Sequence, residues 1–196
     1  GGAGDIAGRI SAAVLDGSMD AGSLLTASLG RDQTAIRTGA THRGLSPDLL
    51  WLVGELAVSP VAAALQRTLF EGAAGDLAAA LDAWAHGHCP ACGSWPALAE
   101  DVRGRRILRC SFCSAAWDPP GGGCTYCGGA GVDLGAPDAG RPERRVEACA
   151  ACGGYLKRVG VERAAPFPLV SIADLETMDL DVAALDRGLT RPPLRS

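Results

Sequence analysis

Cys89-Pro-Ala-Cys92-Gly-Ser-Trp-Pro-Ala-Leu-Ala-Glu-Asp-Val-Arg-Gly-Arg-Arg-Ile-Leu-Arg-Cys110-Ser-Phe-Cys113 decides the fold, and Cys124-Thr-Tyr-Cys127 with Cys149-Ala-Ala-Cys152 repeats its plan. All 8 cysteines of the 196-residue chain fall in these four pairs. A Cys-x-x-Cys turn aims two thiolates at one ion, and two such turns complete the tetrahedral cage that zinc or iron accepts. Seventeen residues separate Cys92 from Cys110 and twenty-one separate Cys127 from Cys149, near the spacing of a ribbon with four sulfur ligands. Two metal sites in tandem are expected.

Between the first two pairs, residues 97–100 and 106–109 flank Arg103-Gly104-Arg105, the pattern of two strands and a hairpin turn. Residues 132–134 and 145–147 pair in the same way across a Gly/Pro-rich loop at 136–142, and a further strand is expected at 156–161. Each half therefore reads knuckle, hairpin, knuckle, an internal duplication. The pair at Cys124 and Cys127 is followed by the glycine spacing of the DnaJ chaperone zinc domain, in which outer pairs share one ion and inner pairs the other. The remaining pairs lack that spacing, so sequential pairing is expected, with only ten residues linking Cys113 to Cys124.

Hydrophobic residues make up 47% of the chain but aromatics only 5%, so a core has few bulky anchors. A cysteine block of about seventy residues with so little core needs a staple, and a bound ion contributes on the order of 10 kcal/mol or more. Glycine follows three of the pairs, at 93, 128 and 153, where it permits the positive φ of a metal knuckle. A thioredoxin-type redox motif needs instead a strand-to-helix turn. Four thiolates per ion leave no open position for water or substrate, which argues against hydrolysis.

Formal net charge is −4, with 5 basic and 9 acidic residues before Cys89, 10 and 8 from Cys89 to Arg163, and 3 and 5 after it. Each ion held by four thiolates carries about two net negative charges, so the mildly basic cysteine region becomes acidic when loaded. That weakens the electrostatic case for nucleic acid.

Upstream, residues 1–86 read as a helical domain. Ile6, Ile10, Ala13 and Val14 recur at helical spacing, Leu24, Leu25 and Leu29 form a second short pattern, and residues 31–45 read as mostly loop. Ser46-Pro47-Asp48 has the grammar of a helix start. Ser59-Pro60 repeats it, so a second helix should turn off there, and Asp76 is expected to cap a third that runs to Trp84. Trp51 and Trp84 are expected as core or interface anchors. Glu55, Pro60, Gln66 and Arg67 interrupt the richest apolar stretch, and no membrane span is expected. His42, His86 and His88 are left at the surface or behind the ligands, because eight cysteines already fill two sites. After Pro168, Ser171 or Asp174 is expected to cap one short helix, with Asp179 and Asp181 around another, before Arg191-Pro192-Pro193. Gly1 to Asp5 lack the features of a secretory signal, which makes the cytoplasm the default setting, and the Gly-Gly opening is compatible with a missing upstream segment. There thiols stay reduced, which favours metal ligation over disulfides.

The order of these motifs resembles the formate dehydrogenase accessory protein family, FdhE. The likeness runs from the helix ending in Trp84 through Cys89-Pro90-Ala91-Cys92-Gly93-Ser94-Trp95-Pro96, Leu108-Arg109-Cys110-Ser111-Phe112-Cys113 and Trp117. It continues through Cys124 and Cys127 to Glu147-Ala148-Cys149-Ala150-Ala151-Cys152-Gly153-Gly154-Tyr155-Leu156-Lys157, and to Asp174-Leu175 and Met178-Asp179 in the tail. The stretch Asp118-Pro119-Pro120-Gly121-Gly122-Gly123 departs from the family, in which a strand is usual here. The resemblance implies a cytoplasmic maturation factor that binds the catalytic subunit of a respiratory formate dehydrogenase before export or membrane assembly. Together with the closed metal sites it points away from an enzyme, while the interrupted apolar stretch and the charge balance lead us to expect neither membrane insertion nor nucleic-acid binding. It also implies two rubredoxin-like sites holding iron or zinc, one at Cys89, Cys92, Cys110 and Cys113 and the other at Cys124, Cys127, Cys149 and Cys152.

The expected fold is α+β: a helical domain over 1–86, four-cysteine ribbons of rubredoxin or zinc-ribbon type over 87–120 and 121–165, and a tail with short helices over 166–196. Trp95, Trp117 and Tyr155 beside the knuckles are candidates for a docking surface, or else they pack over the sulfurs. Two other readings stay open. One is a nucleic-acid-binding zinc ribbon using Arg103, Arg105, Arg106 and Arg109 or Arg141, Arg144 and Arg145, and the other is a rubredoxin-like electron-transfer protein.

Overall fold

The computed structural model describes residues 3–119, 121–130, 132–135 and 140–192. Pro120, most of the loop expected at 136–142 and the end of the tail from Pro193 lie outside the described residues. Strands β1 (Pro96–Val102), β2 (Arg105–Cys110), β4 (Val132–Leu134), β5 (Arg144–Cys149) and β6 (Tyr155–Val161) fall where the alternation and turn signals place them, and a two-residue strand, β3 (Ala116–Trp117), is added beyond the second cysteine pair. Val102 pairs with Arg105, so the first hairpin turns on Arg103 and Gly104. Both have positive φ, 54° and 85°, as a two-residue turn of the primed kind requires. Asp101 accepts the Gly104 amide at 2.8 Å and closes it.

The six strands form one sheet in the order β3-β2-β1-β6-β5-β4. Each ribbon contributes an antiparallel set of three, and the sets join by parallel pairing of β1 with β6 from Leu98↔Lys157 to Val102↔Val161. Counted within each ribbon, the order across the sheet is third, second, first, third, second, first. The duplication is thus one of displacement across the sheet, and the ribbons share a continuous hydrogen-bond ladder.

Two helices, α6 (Phe167–Glu176) and α7 (Met178–Asp186), cover one face of this sheet. Leu180 and Ala184 of α7 pack with Val146 and Tyr155, with Leu189 at the edge. The helix starts differ from expectation: α6 begins after Pro166, which places Ser171 and Asp174 inside the helix. Proline near the start supplies the needed φ without a side-chain cap. Asp174 is engaged instead by Lys157.

Upstream, α1 (Ala3–Leu15), α2 (Ala21–Leu29), α3 (Gln33–His42), α4 (Pro47–Glu71) and α5 (Gly75–Asp82) follow in order. The chain divides into two compact units after Ala64, inside α4, upstream of the boundary at residue 86 read from the sequence. In the first unit, Ile10, Met19, Ile36, Ala40, Leu45, Leu50, Trp51 and Val58 are buried. Residues 31–45 hold a helix where a loop was expected. Asp32 caps it by accepting the Ala35 amide at 2.9 Å, and buried Ile36 and Ala40, one turn apart, outweigh the poor propensity of its threonines and glycine. Arg31, left-handed at φ 58°, lays its guanidinium 4.6 Å from the Trp51 ring centre and 2.5 Å from Glu55.

Helix α4 runs through Pro60 without ending, contrary to the turn expected there. Proline removes one amide bond to residue 56, but Leu56 and Pro60 are exposed, so the missing bond falls on the open side of the helix, where it costs least. The resulting 25-residue helix is long and apolar enough, by length and composition alone, to cross a bilayer. This corrects the expectation that no segment reaches that size. Its apolar content has a bundle use as well, since Leu50, Trp51 and Val58 are buried and Glu55 is ion-paired with Arg31. Helix α5 starts at Gly75 after an uncapped Ala74, so Asp76 sits in the first turn and Trp84 lies beyond the helix end.

Candidate metal centre

Each cysteine pair is held by the same backbone device. The first cysteine of a pair donates its amide to a carbonyl beyond the second, as in Cys89 to Ser94 at 2.8 Å, Cys110 to Ala115 at 2.9 Å, Cys124 to Gly129 at 2.9 Å and Cys149 to Gly154 at 2.9 Å. The residue after the second cysteine is left-handed in all four: Gly93 at 74°, Ser114 at 56°, Gly128 at 72° and Gly153 at 66°. Ser114 thus takes the part of the glycine that the second pair lacks. Its carbonyl accepts Arg109 Nη2 at 3.2 Å, and Arg109 in turn holds Glu100 at 2.6 Å, both side chains almost wholly buried.

These turns bring Cys89, Cys92, Cys110 and Cys113 into one cluster and Cys124, Cys127, Cys149 and Cys152 into another, with the sulfurs of each within 4.8 Å of one another. In the first, Sγ separations are 3.6 Å for Cys89–Cys113, 3.4 Å for Cys92–Cys110 and 3.7 Å for Cys92–Cys113. In the second, Cys124–Cys152 and Cys127–Cys149 are each 3.7 Å apart. A tetrahedron with metal–sulfur bonds of about 2.3 Å has edges of about 3.8 Å, so both clusters fit one ion each. Backbone amides also point at sulfur: Ala91 at Cys89, Phe112 at Cys110, Tyr126 at Cys124 and Gly154 at Cys152, each at 3.4 Å. Amides so placed stabilise thiolate charge.

The thiols polarise one another. Burial pushes Cys110 far above the ordinary thiol range, while hydrogen bonds from Cys110 first, and from its neighbours, hold Cys92 and Cys113 down. In the second cluster burial raises Cys124 to about 12, whereas the Cys152 amide leads in lowering Cys149 to about 7. Four such groups ionise together only around a cation. The clusters differ in shelter: Cys89, Cys110 and Cys113 are buried, but Cys127 and Cys152 are exposed.

The histidines stay out of both sulfur clusters, and two of them build an aromatic frame. His86 and His88 stack at 5.0 Å, Trp84 meets both edge-on, and Trp95 lies edge-on to His88 at 6.1 Å and to Tyr126 at 5.3 Å. The carbonyls of His86 and His88 accept the indole N–H groups of Trp117 and Trp84. Trp117 and Tyr155 are buried, so packing and not display is their use, while Trp95 is half-buried. Sequence reasoning missed Gly87, where any Cβ would run into the Thr125 carbonyl of the third knuckle. It also missed the ionic lattice of Asp101, Arg106, Glu147 and Arg158 across the other sheet face. Long-range ion pairs leave no local pattern.

Fold and site define an α+β protein whose paired ribbons carry two four-cysteine clusters able to hold two metal ions. No family model matches the chain. Among curated proteins it is similar to the FdhE homologue of Stutzerimonas stutzeri, 36% identical over 110 residues that cover 53% of this chain and 35% of the relative. The FdhE homologue of Haemophilus influenzae is 30% identical over 112 residues, 55% of this chain and 37% of the relative. That of Aquifex aeolicus is 26% identical over 117 residues, 55% and 40%. The crystal structure of the FdhE protein from Pseudomonas aeruginosa aligns with a TM-score of 0.46 and 32% identity over 56% of this chain and 41% of that one. The chain spans little more than a third of the length of the curated relatives it matches. All three of these relatives are FdhE homologues, and the likeness is to a part of each.

Proposed function

We propose that the protein is an accessory factor for formate dehydrogenase, an assembly chaperone that binds the catalytic subunit in the cytoplasm before export or membrane assembly. In this reading Cys89, Cys92, Cys110 and Cys113 ligate one ion and Cys124, Cys127, Cys149 and Cys152 a second, iron or zinc in each case. The observation that carries it is the pair of closed four-sulfur clusters in a chain similar to FdhE homologues. With every coordination position taken by sulfur, the ions organise a surface and activate no substrate. Their role is to hold the ribbons in shape.

Co-expression of the tagged chain with a formate dehydrogenase catalytic subunit, followed by affinity capture, tests the partner. Recovery of the subunit by the intact chain and its loss on Cys→Ser substitution in either cluster is the expected result. Capture of no subunit under any metal loading would sink the proposal.

Exposure of Cys127 and Cys152 favours one further reading, a rubredoxin-like second site that exchanges electrons. Anaerobically purified protein that is colourless and holds only zinc would dispose of it. The nucleic-acid reading finds less support, because Arg105, Arg106, Arg109 and Arg144 are engaged by Asp118, Glu147, Glu100 and Glu143 with Asp179.

A further inference from the structure

The C-terminal segment reaches the second cluster directly. Thr190 forms a parallel bridge with Gly154, its amide donating to the Gly153 carbonyl at 2.9 Å and its carbonyl accepting the Tyr155 amide at 3.1 Å. The Gly153 carbonyl and the Tyr155 amide, just beyond Cys152, thus find their partners in residue 190. On the third knuckle, Tyr126 donates its hydroxyl to the Tyr155 carbonyl at 2.9 Å. The Tyr155 hydroxyl donates to Asp181 at 2.9 Å. Lys157, wholly buried, donates to Asp181 Oδ2 and to the Asp174 carbonyl, each at 2.7 Å, and lies 2.6 Å from Asp174 Oδ1. Arg191 closes the group, 2.8 Å from Asp181 and stacked on the Tyr155 ring.

We infer that the C-terminal segment is the outer sphere of the second metal site, so that ion binding at Cys124, Cys127, Cys149 and Cys152 and docking of α6 and α7 on the sheet are one coupled equilibrium. This rests on the reading that both clusters hold metal. Closing a glycine-rich knuckle around an ion fixes residues 152–155 in the conformation that offers the Gly153 carbonyl and Tyr155 amide to Thr190. Removing the ion frees that backbone and costs the tail its anchor. Binding linkage is reciprocal, so a loosened tail weakens the ion by the same factor. The second cluster has most need of such support, since its Cys127 and Cys152 edge is open to solvent. Among the described residues, the hydrogen bonds that lead from the first cluster towards the tail run through Ser114, Arg109 and Glu100 to the Ala165 amide, just before α6.

The test uses the full chain loaded with two equivalents of ¹¹³Cd(II), whose two four-sulfur resonances are assigned with Cys127→Ser. Asp181→Asn removes one of the two carboxylate charges facing Lys157, the other being Asp174, and Thr190→Pro removes the amide that bonds Gly153. Under excess EDTA, both substitutions are expected to hasten loss of the second resonance by about tenfold or more, the usual scale for outer-sphere partners, and to leave the first unchanged. Hydrogen exchange gives an independent readout in the unsubstituted chain. Emptying the second site should strip protection from the amides of α6 and α7 while β1 and β2 keep theirs. Unchanged EDTA kinetics in both variants, or helices equally protected with and without the second ion, would show that α7 docks through its own apolar contacts and overturn the inference. Failure to take up two equivalents of cadmium would overturn the two-site reading itself, and this inference with it.

Discussion

Arg109 Nη1 lies 2.6 Å from Glu100 in the sheet interior, with 4% and 2% of the two side chains exposed. A charge left alone there has no water to return to. Glu100→Ala is expected to destabilise the metal-loaded protein by about 3–5 kcal/mol, the scale for breaking a buried pair. Replacing both residues by methionine should cost less than either single change, because no charge remains unpaired. Urea titration with an unchanged m-value measures both. A double variant less stable than either single one would contradict this account.

Gly154 tests the second cluster by volume. A Cβ there would stand 2.8 Å from the Tyr126 ring and 3.1 Å from Cys152 Sγ, whereas a Cβ at Gly93 meets nothing within 4 Å. Gly154→Ala should reduce metal content from two ions to about one per chain under a competing chelator, by elemental analysis. Gly93→Ala should keep both ions and cost about 1–2 kcal/mol of stability through its positive φ.

Ser114 carries a side chain in a conformation that the other three knuckles give to glycine. Ser114→Gly should stabilise the loaded protein by up to about 1 kcal/mol, and Ser114→Val should destabilise it, since a branched Cβ suits this region worst. Thermal melts of zinc-loaded protein separate the two. A destabilised glycine variant would mean that contacts of the serine side chain outweigh its backbone strain.

Alkali should act through the chain's two tyrosines, Tyr126 and Tyr155. Burial, opposed by Arg191, raises both phenols above their usual range. A phenol raised in the folded state contributes stability that is fully present below its unfolded value of about 10 and lost as pH rises through the folded value. Tyrosinate absorbance near 295 nm in the metal-loaded protein should therefore rise only above about pH 10, together with loss of α7 protection. Ordinary titration of both phenols in a folded protein would refute this.

Four Cys-x-x-Cys pairs with hairpins between them made the ribbons legible, because a knuckle and a two-residue turn are written in adjacent residues. The grouping of neighbouring pairs follows from the same local spacing, and the sulfurs lie together in those two groups. Parallel pairing of β1 with β6 was not legible, since it joins residues some sixty apart and leaves no periodicity behind. Helix α3 was missed for a related reason: its threonines and glycine argue for loop, and only burial of Ile36 and Ala40 reverses them. Pro60 misled in the opposite direction, because a proline on the wet side of a helix interrupts one bond and not the helix. Lys157 and Asp181 were ordinary charged residues until the fold placed them together.

The displaced order of the strands has a consequence for growth. Two modules related by a two-fold axis satisfy each other and stop, but a head-to-tail join leaves an unmatched donor edge at one end and its complement at the other. Such an array would polymerise unless its ends were blunted. Here the outer strand of the first ribbon is only Ala116–Trp117 and runs at once into Asp118 and Pro119, while the outer strand of the second is the three-residue β4. Lengthening β3 by replacing Asp118 and Pro119 with valine would reopen that end alone, and the chain would be expected to pair β3 edge to β3 edge as a dimer and stop there, because β4 still blunts the other end.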